Sequence, residues 1–241
     1  MLKEAIEKIV DLAGPTIQDL GGHTYADKEM FEIRPEIDSP SEKSLTSLDA
    51  VVKLIKTEAA KLYTGPFYIT VPKYDRVECF AQPDANKRFC RPVLYTASAV
   101  DMPGWDPEVK LPFERASIAL QTRFQKTPDT EYALRLLSQI TCGGKVTYND
   151  DGLAMTVITQ KGIALQGTEA IKPLISLKPY RTFQEIEQPT TIYLIRIDER
   201  GISFIEADGG MWKLTARQTI KAYFDAELAD LFEAGTVVVS L

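Results

Sequence analysis

The tract spanning residues 177–212 constrains the fold more than any other part of the chain. Two β-type runs, near 192–197 and 202–205, flank Asp198-Glu199-Arg200-Gly201, so the segment reads as a β-hairpin. Gly201 can take the left-handed conformation that such a turn needs. The tract also gathers aromatic residues, prolines, charges and the Gly209-Gly210 pair. So dense a mixture marks either a site or a tightly specified system of turns and bulges.

Other segments supply further strands and helices. Residues 2–13 place Leu2, Ile6, Ile9, Val10 and Leu12 on one face of a short helix, which Gly14-Pro15 stops. A polar, proline-dotted stretch follows to about residue 43 and reads as a long loop or arm, with strand signal only near 30–33. Leu45, Leu48, Val52, Ile55, Ala59 and Leu62 then form the stripe of a second helix. Thr46 and Asp49 match a capping box there, with Ser44 as an alternative cap.

Phe67, Ile69 and Val71 pair with Val77, Cys79 and Ala81 as a hairpin across Pro72-Lys73-Tyr74-Asp75, and a third strand spans 91–100. Residues 113–126 and 129–141 form a helical pair, with Asp129 as the expected N-cap of the second. Runs at 145–148 and 153–158 flank Asn149-Asp150-Asp151-Gly152, and another strand lies near 174–177. A closing helix over 215–232 has Thr215 and Gln218 as its capping box, before the β-type tail Val237-Val238-Val239. This order predicts an α+β fold: mainly antiparallel β-sheet with flanking helices and an N-terminal arm. Residues 1–43 are expected to form the helix and arm, and 44–241 a single domain.

Charge limits the partners. With 34 acidic against 28 basic residues the chain carries a net charge of −6, too acidic for a protein dominated by duplex-DNA phosphate contacts. The clusters Lys87, Arg88, Arg91 and Arg115, Arg123, Lys126 read as solvated surface. No run approaches the ~18 apolar residues of a membrane span, so no membrane partner is expected. The opening MLKEAIEKIV is an amphipathic helix containing acids rather than a signal peptide. Cys79, Cys90 and Cys142 lack CxxC spacing and read as small apolar fillers in a reducing cytoplasm.

Four groups of residues carry potential chemistry. His23 is the only histidine, and every His-dependent catalytic arrangement would rest on it. A surface loop position is its expected role. Asp150, Asp151, Glu206 and Asp208 could bind Mg²⁺ through oxygen if two hairpins pack side by side, with Asp151, Glu206 and Asp208 as the metal candidates. Turn formation explains the aspartates equally well. Gly209-Gly210 lacks the pattern of a phosphate loop and reads as a bulge or a close backbone approach.

The fourth group is Lys178, Tyr180, Arg181 and Phe183, which combine positive charge with rings that can stack a base or nucleotide. Glu185 and Glu187 are placed to neutralise those cations, so an exposed turn or subunit contact competes with ligand binding. Trp212 and Trp105 read as loop anchors that can also serve an interface.

The residues LKPYRTF at 177–183, Glu185-Ile186-Glu187-Gln188-Pro189, and FIEADGGMW at 204–212 resemble bacteriophage and prophage proteins of a YfdQ-like family. The layout over roughly 40–230 is similar too, including Phe113-Glu114 leading to Leu120-Gln121-Thr122-Arg123-Phe124. The resemblance implies a phage-encoded accessory protein of the host cytoplasm and carries over no catalytic residues. With no complete catalytic constellation, the expectation is a non-enzymatic protein without cofactor. It would act by self-association, as a homo-oligomer, or by binding a host or phage macromolecule. One alternative is a nucleic-acid or nucleotide-binding protein of phage recombination, replication or counter-defence. The other is a Mg-dependent hydrolase.

Overall fold

The computed structural model describes residues 2–13, 17–20, 23–26, 41–59, 61, 65–83, 90–142, 145–150, 155–161, 164–198 and 200–241. Residues 1–40 and 41–241 form two compact units. In the first, helix α1 (Leu2–Leu12) leaves Leu2, Ile6, Ile9 and Leu12 exposed. The expected arm contains a hairpin: β1 (Ile17–Leu20) pairs antiparallel with β2 (His23–Ala26), Ile17 opposite Ala26. Strands of four residues are too short to display a convincing alternation, which is why the sequence did not reveal them. The strand signal near 30–33 lies outside the described residues.

The second unit is an α+β fold with two hydrophobic cores. Its first core lies on a five-stranded sheet of β3 (Lys43–Leu45), β4 (Phe67–Lys73), β5 (Arg76–Phe80), β6 (Val93–Ser98) and β13 (Val237–Ser240). The spatial order is β13-β4-β5-β6-β3; the inner pairs are antiparallel and both outer pairs are parallel. Helix α2 (Leu48–Leu54), running on into a π-turn at Ile55–Ala59, covers this sheet with Leu48, Val51, Val52 and Ile55. Helix α5 (Trp212–Glu227) adds Ile220 and Phe224. A short helix, Ala229–Glu233, leads from it to β13.

The second core places α3 (Phe113–Thr122) and α4 (Pro128–Cys142) on an antiparallel sheet of β10 (Leu174–Leu177), β11 (Thr191–Asp198) and β12 (Gly201–Glu206). Strand β11 buries Thr191, Tyr193, Ile195 and Ile197, every second residue, as a strand with one covered face must. Leu120, Leu137, Ile175 and Phe204 complete the packing. The hairpin turn is pinned at Gly201. Its φ is +142°, and a Cβ there would lie 2.1 Å from the Leu111 carbonyl oxygen, which already accepts the Ile202 N–H. A third antiparallel sheet joins β7 (Lys145–Asp150), β8 (Met155–Lys161) and β9 (Ala164–Ile171). The last of these strands has no counterpart in the expected elements.

Helix starts depart from the capping patterns. Leu45 belongs to β3, and Ser47, not Thr46 or Ser44, caps α2 by accepting the Ala50 N–H at 3.2 Å. The cap of α4 is Thr127, which accepts the Thr130 N–H at 3.1 Å. Asp129 lies inside that helix, and its carboxylate accepts the Ser176 N–H and pairs with Lys172. Helix α5 begins at Trp212, and Thr215 sits within its first turn with its hydroxyl on the Met211 carbonyl. For α2 and α4 a neighbour one or two positions away takes the capping role, whereas α5, preceded by Met211, has no side-chain cap.

Candidate ligand-binding cleft

In the segment that leads into the site, Arg181, Thr182, Phe183, Ile186 and Gln188 are buried, while Gln184, Glu185 and Glu187 of its turn are exposed. After β10, Lys178 and Tyr180 bridge to the end of α3: the Gln125 N–H donates to the Lys178 carbonyl at 2.8 Å, and the Tyr180 N–H donates to the Arg123 carbonyl at 3.0 Å. Gln188, itself buried, folds the chain back. Its Oε1 accepts the Arg181 and Thr182 N–H groups at 2.9 and 3.2 Å, and its Nε2 donates to the Phe183 carbonyl at 2.9 Å. Phe183 and Ile186 then enter the first core. The Thr182 hydroxyl donates to the Tyr74 carbonyl, and the Glu185 carboxylate accepts the Leu48 N–H at 2.8 Å, where helix α2 leaves its donors unsatisfied. The segment therefore joins the two cores.

Where they meet lies a cleft of about 420 Å³, lined in part by Tyr74, Trp105, Tyr180, Arg181, Glu206, Trp212 and Lys213. Tyr74 comes from the β4–β5 turn and Trp212 from the start of α5, both on the first core. Trp105 precedes α3 and packs edge-on against Phe124 (ring centres 4.8 Å apart) and, tilted, against Phe204 of the second core. Asp208 shapes the approach to Trp212: its carboxylate accepts the Gly210 N–H at 3.0 Å. Gly209 and Gly210 take φ of +62° and +80°, and a Cβ on either would meet nothing within 4 Å. The pair serves the left-handed turn, not a close backbone approach.

Arg181 is the centre of the cleft. It is 9 % exposed, its guanidinium lies 4.4 Å from the Trp212 ring centre, and one Nη donates to the Tyr193 hydroxyl while ion-pairing with Glu206. Burial, chiefly, pushes the Tyr193 phenol well above its ordinary pKa, against the pull of Arg181. The other guanidinium nitrogen, Nη1, is buried without a hydrogen-bond partner, and so are the indole nitrogens of Trp212 and Trp105. Trp105 inclines toward the Tyr193 hydroxyl closely enough to lower its pKa, but without the geometry of a hydrogen bond. A buried donor left unpaired costs about 1–3 kcal/mol. Three of them belong to residues that line one cleft, which sets this region apart from the apolar cores.

The structure thus brings Tyr180, Arg181 and Trp212 together and separates the other two candidates from them. Lys178 is half-buried and paired with the exposed Glu187, and Phe183 is a core residue. Glu185 does not neutralise the cations, because it caps α2. Glu206, read from sequence as a metal candidate, is the partner of Arg181, and Asp208 holds a turn. Asp151 lies outside the described residues. Among the described residues no group of three or more His, Cys, Asp or Glu is placed to hold a metal ion. Sequence reasoning missed Tyr74 and Lys213; only the meeting of the two cores places them on the cleft. The cysteines divide: Cys79 is a core filler whose thiol burial pushes up to about 12, whereas Cys90 is exposed.

Among the described residues no helix is long and apolar enough to cross a membrane. The chain matches no family model, no curated protein and no solved structure.

Proposed function

We propose that this chain is a non-enzymatic binding protein that holds a small ligand of the nucleotide or aromatic class in the Arg181–Trp212 cleft. The observation that carries this reading is the buried Arg181 guanidinium, stacked on Trp212 with one nitrogen unpaired, at a cleft walled by further rings. Rings and a guanidinium offer flat faces to a conjugated ligand, and the unpaired donors offer it hydrogen bonds. Glu206 is engaged by Arg181, so it supports a positioning role better than metal or general-base chemistry. A phage origin and a place in the host cytoplasm rest on the resemblance of the 177–189 and 204–212 tracts alone.

The sequence contains two tryptophans, Trp105 and Trp212, and both line the cleft, so intrinsic emission reports on it directly. Thermal shift and tryptophan emission should be recorded against a broad panel of nucleosides, linear and cyclic nucleotides and aromatic acids. At least one compound should raise Tm and change the emission, and Arg181→Met should lose both responses. A panel without effect on either signal would refute the reading.

A second reading, association of copies of the chain, is favoured by the exposed Leu2, Ile6, Ile9 and Leu12 of α1. Light scattering on the full chain and on the Ile6→Glu, Ile9→Glu variant tests it. A wild-type monomer at high concentration would remove it.

A further inference from the structure

The chemistry around the cleft narrows the class of ligand, on the condition that the cleft is a ligand site as proposed above. Its polar groups are unbalanced. Arg181 Nη1, Trp212 Nε1 and Trp105 Nε1 are donors without partners. Among the described residues the one carboxylate lining the cleft, Glu206, is already engaged by Arg181. A complementary ligand must therefore bring acceptors. Its charge is limited as well. Arg181 and Lys213 stand against Glu206, and Asp208 is near enough to raise the Tyr193 phenol. With the two signs nearly cancelling, the cleft offers little attraction to a polyanion.

Access sets the shape. The unpaired nitrogens are closed to bulk water by the surrounding side chains, with Trp212 only 6 % exposed. Covering side chains must move aside before any acceptor meets such a donor, and a single sp² oxygen at the edge of a flat group needs a smaller opening than a tetrahedral phosphate, which also has a larger hydration shell to strip. The walls are aromatic and packed on one another, Tyr74 lying 4.7 Å from Trp212 by ring centres and the guanidinium over the Trp212 ring, so a flat conjugated molecule would join a cluster of like chemistry.

We infer that the cleft takes a flat conjugated ring bearing a carbonyl or carboxylate oxygen, the chemistry shared by a nucleobase and an aromatic acid, and does not grip phosphate. Once the covering side chains yield, the oxygen accepts from Arg181 Nη1 and the Trp212 indole N–H, and the ring packs among the aromatic walls.

Titration of the full chain with uridine, uridine triphosphate, benzoate and pyrophosphate, followed by tryptophan emission, tests this. Uridine or benzoate should change the emission saturably, and which of the two does so identifies the source of the ring. The triphosphate should bind within about threefold of uridine, and added salt should matter little, because the lining is nearly neutral. Pyrophosphate should neither bind nor compete. Arg181→Lys keeps the charge but loses the planar fork, so affinity should fall by about tenfold or more. Binding by the triphosphate alone, displaced by pyrophosphate, would overturn the ligand class while leaving the cleft as a site. Silence from all four compounds also overturns the class. The proposed function itself falls only if the broader panel is silent too.

Discussion

The two cores of residues 41–241 follow one plan, helices laid on a sheet, yet they close differently. The first is sealed by aliphatic and aromatic side chains from β4, β5, β6, α2 and α5, with Cys79 as an inert filler. The second is equally apolar between α3, α4 and β10–β12, but at its edge Tyr193 meets Arg181 and Glu206. Burying a guanidinium against a partly exposed carboxylate, as Arg181 is against Glu206, is poorly justified by stability alone, since apolar residues of similar volume often serve as well or better. The contrast teaches where to look for function. An apolar closure explains itself by burial, while a polar closure with unpaired donors requires a second explanation.

The largest effect should come from breaking the first core. Phe224→Ala removes a fully buried ring and should cost about 3–5 kcal/mol by urea unfolding, while any ligand response per folded molecule persists. Removing Arg181 alone leaves Glu206 without its partner at the mouth of the second core, where water still reaches it, so Arg181→Ala should cost about 2 kcal/mol and abolish the ligand response. If instead Phe224→Ala abolished binding in the folded fraction, the cores would not be separable in function.

Smaller effects sharpen the picture. Ser47→Ala should cost about 1 kcal/mol, the ordinary value of an N-cap, with the Glu185 carboxylate still serving the neighbouring Leu48 N–H. The smallest effect is set by pH. The Ser176 N–H first, and Lys172 after it, hold the Asp129 carboxyl below its ordinary value, and Lys178 does the same for Glu187. A carboxyl depressed in the folded state contributes its stabilisation fully above its unfolded pKa and loses it as pH falls through the folded value. Stability should therefore decline on the acid side, and Asp129→Asn should flatten that decline in unfolding curves recorded at successive pH values. Lys178→Ala, at an exposed pair, should leave Tm at neutral pH unchanged within error.

The sequence disclosed what is periodic or local. Alternation through 192–197, the stripe of Val52 and Ile55, and the glycine at the 198–201 turn are visible because their physics acts within a few residues. What it concealed acts at long range. Glu185 serves a helix 137 positions earlier in the chain, and the parallel pairings of β3 and β13 join segments far apart. The site was half visible in consequence. Tyr180, Arg181 and Trp212 stood out as rings and charge in one tract, but Glu206 was read with the metal candidates because nothing local ties it to Arg181. Lys178 and Phe183 share the composition of the site without sharing its place.

The most direct test of the central claim, that buried Arg181 is paired with the partly exposed Glu206 for a ligand rather than for the fold, is the Tm of Arg181→Met/Glu206→Met with and without uridine or benzoate. The double variant should be at least as stable as Arg181→Met alone and close to the wild type, with its ligand-induced shift gone. A double variant destabilised as severely as Phe224→Ala, yet still shifted by the ligand, would contradict the account.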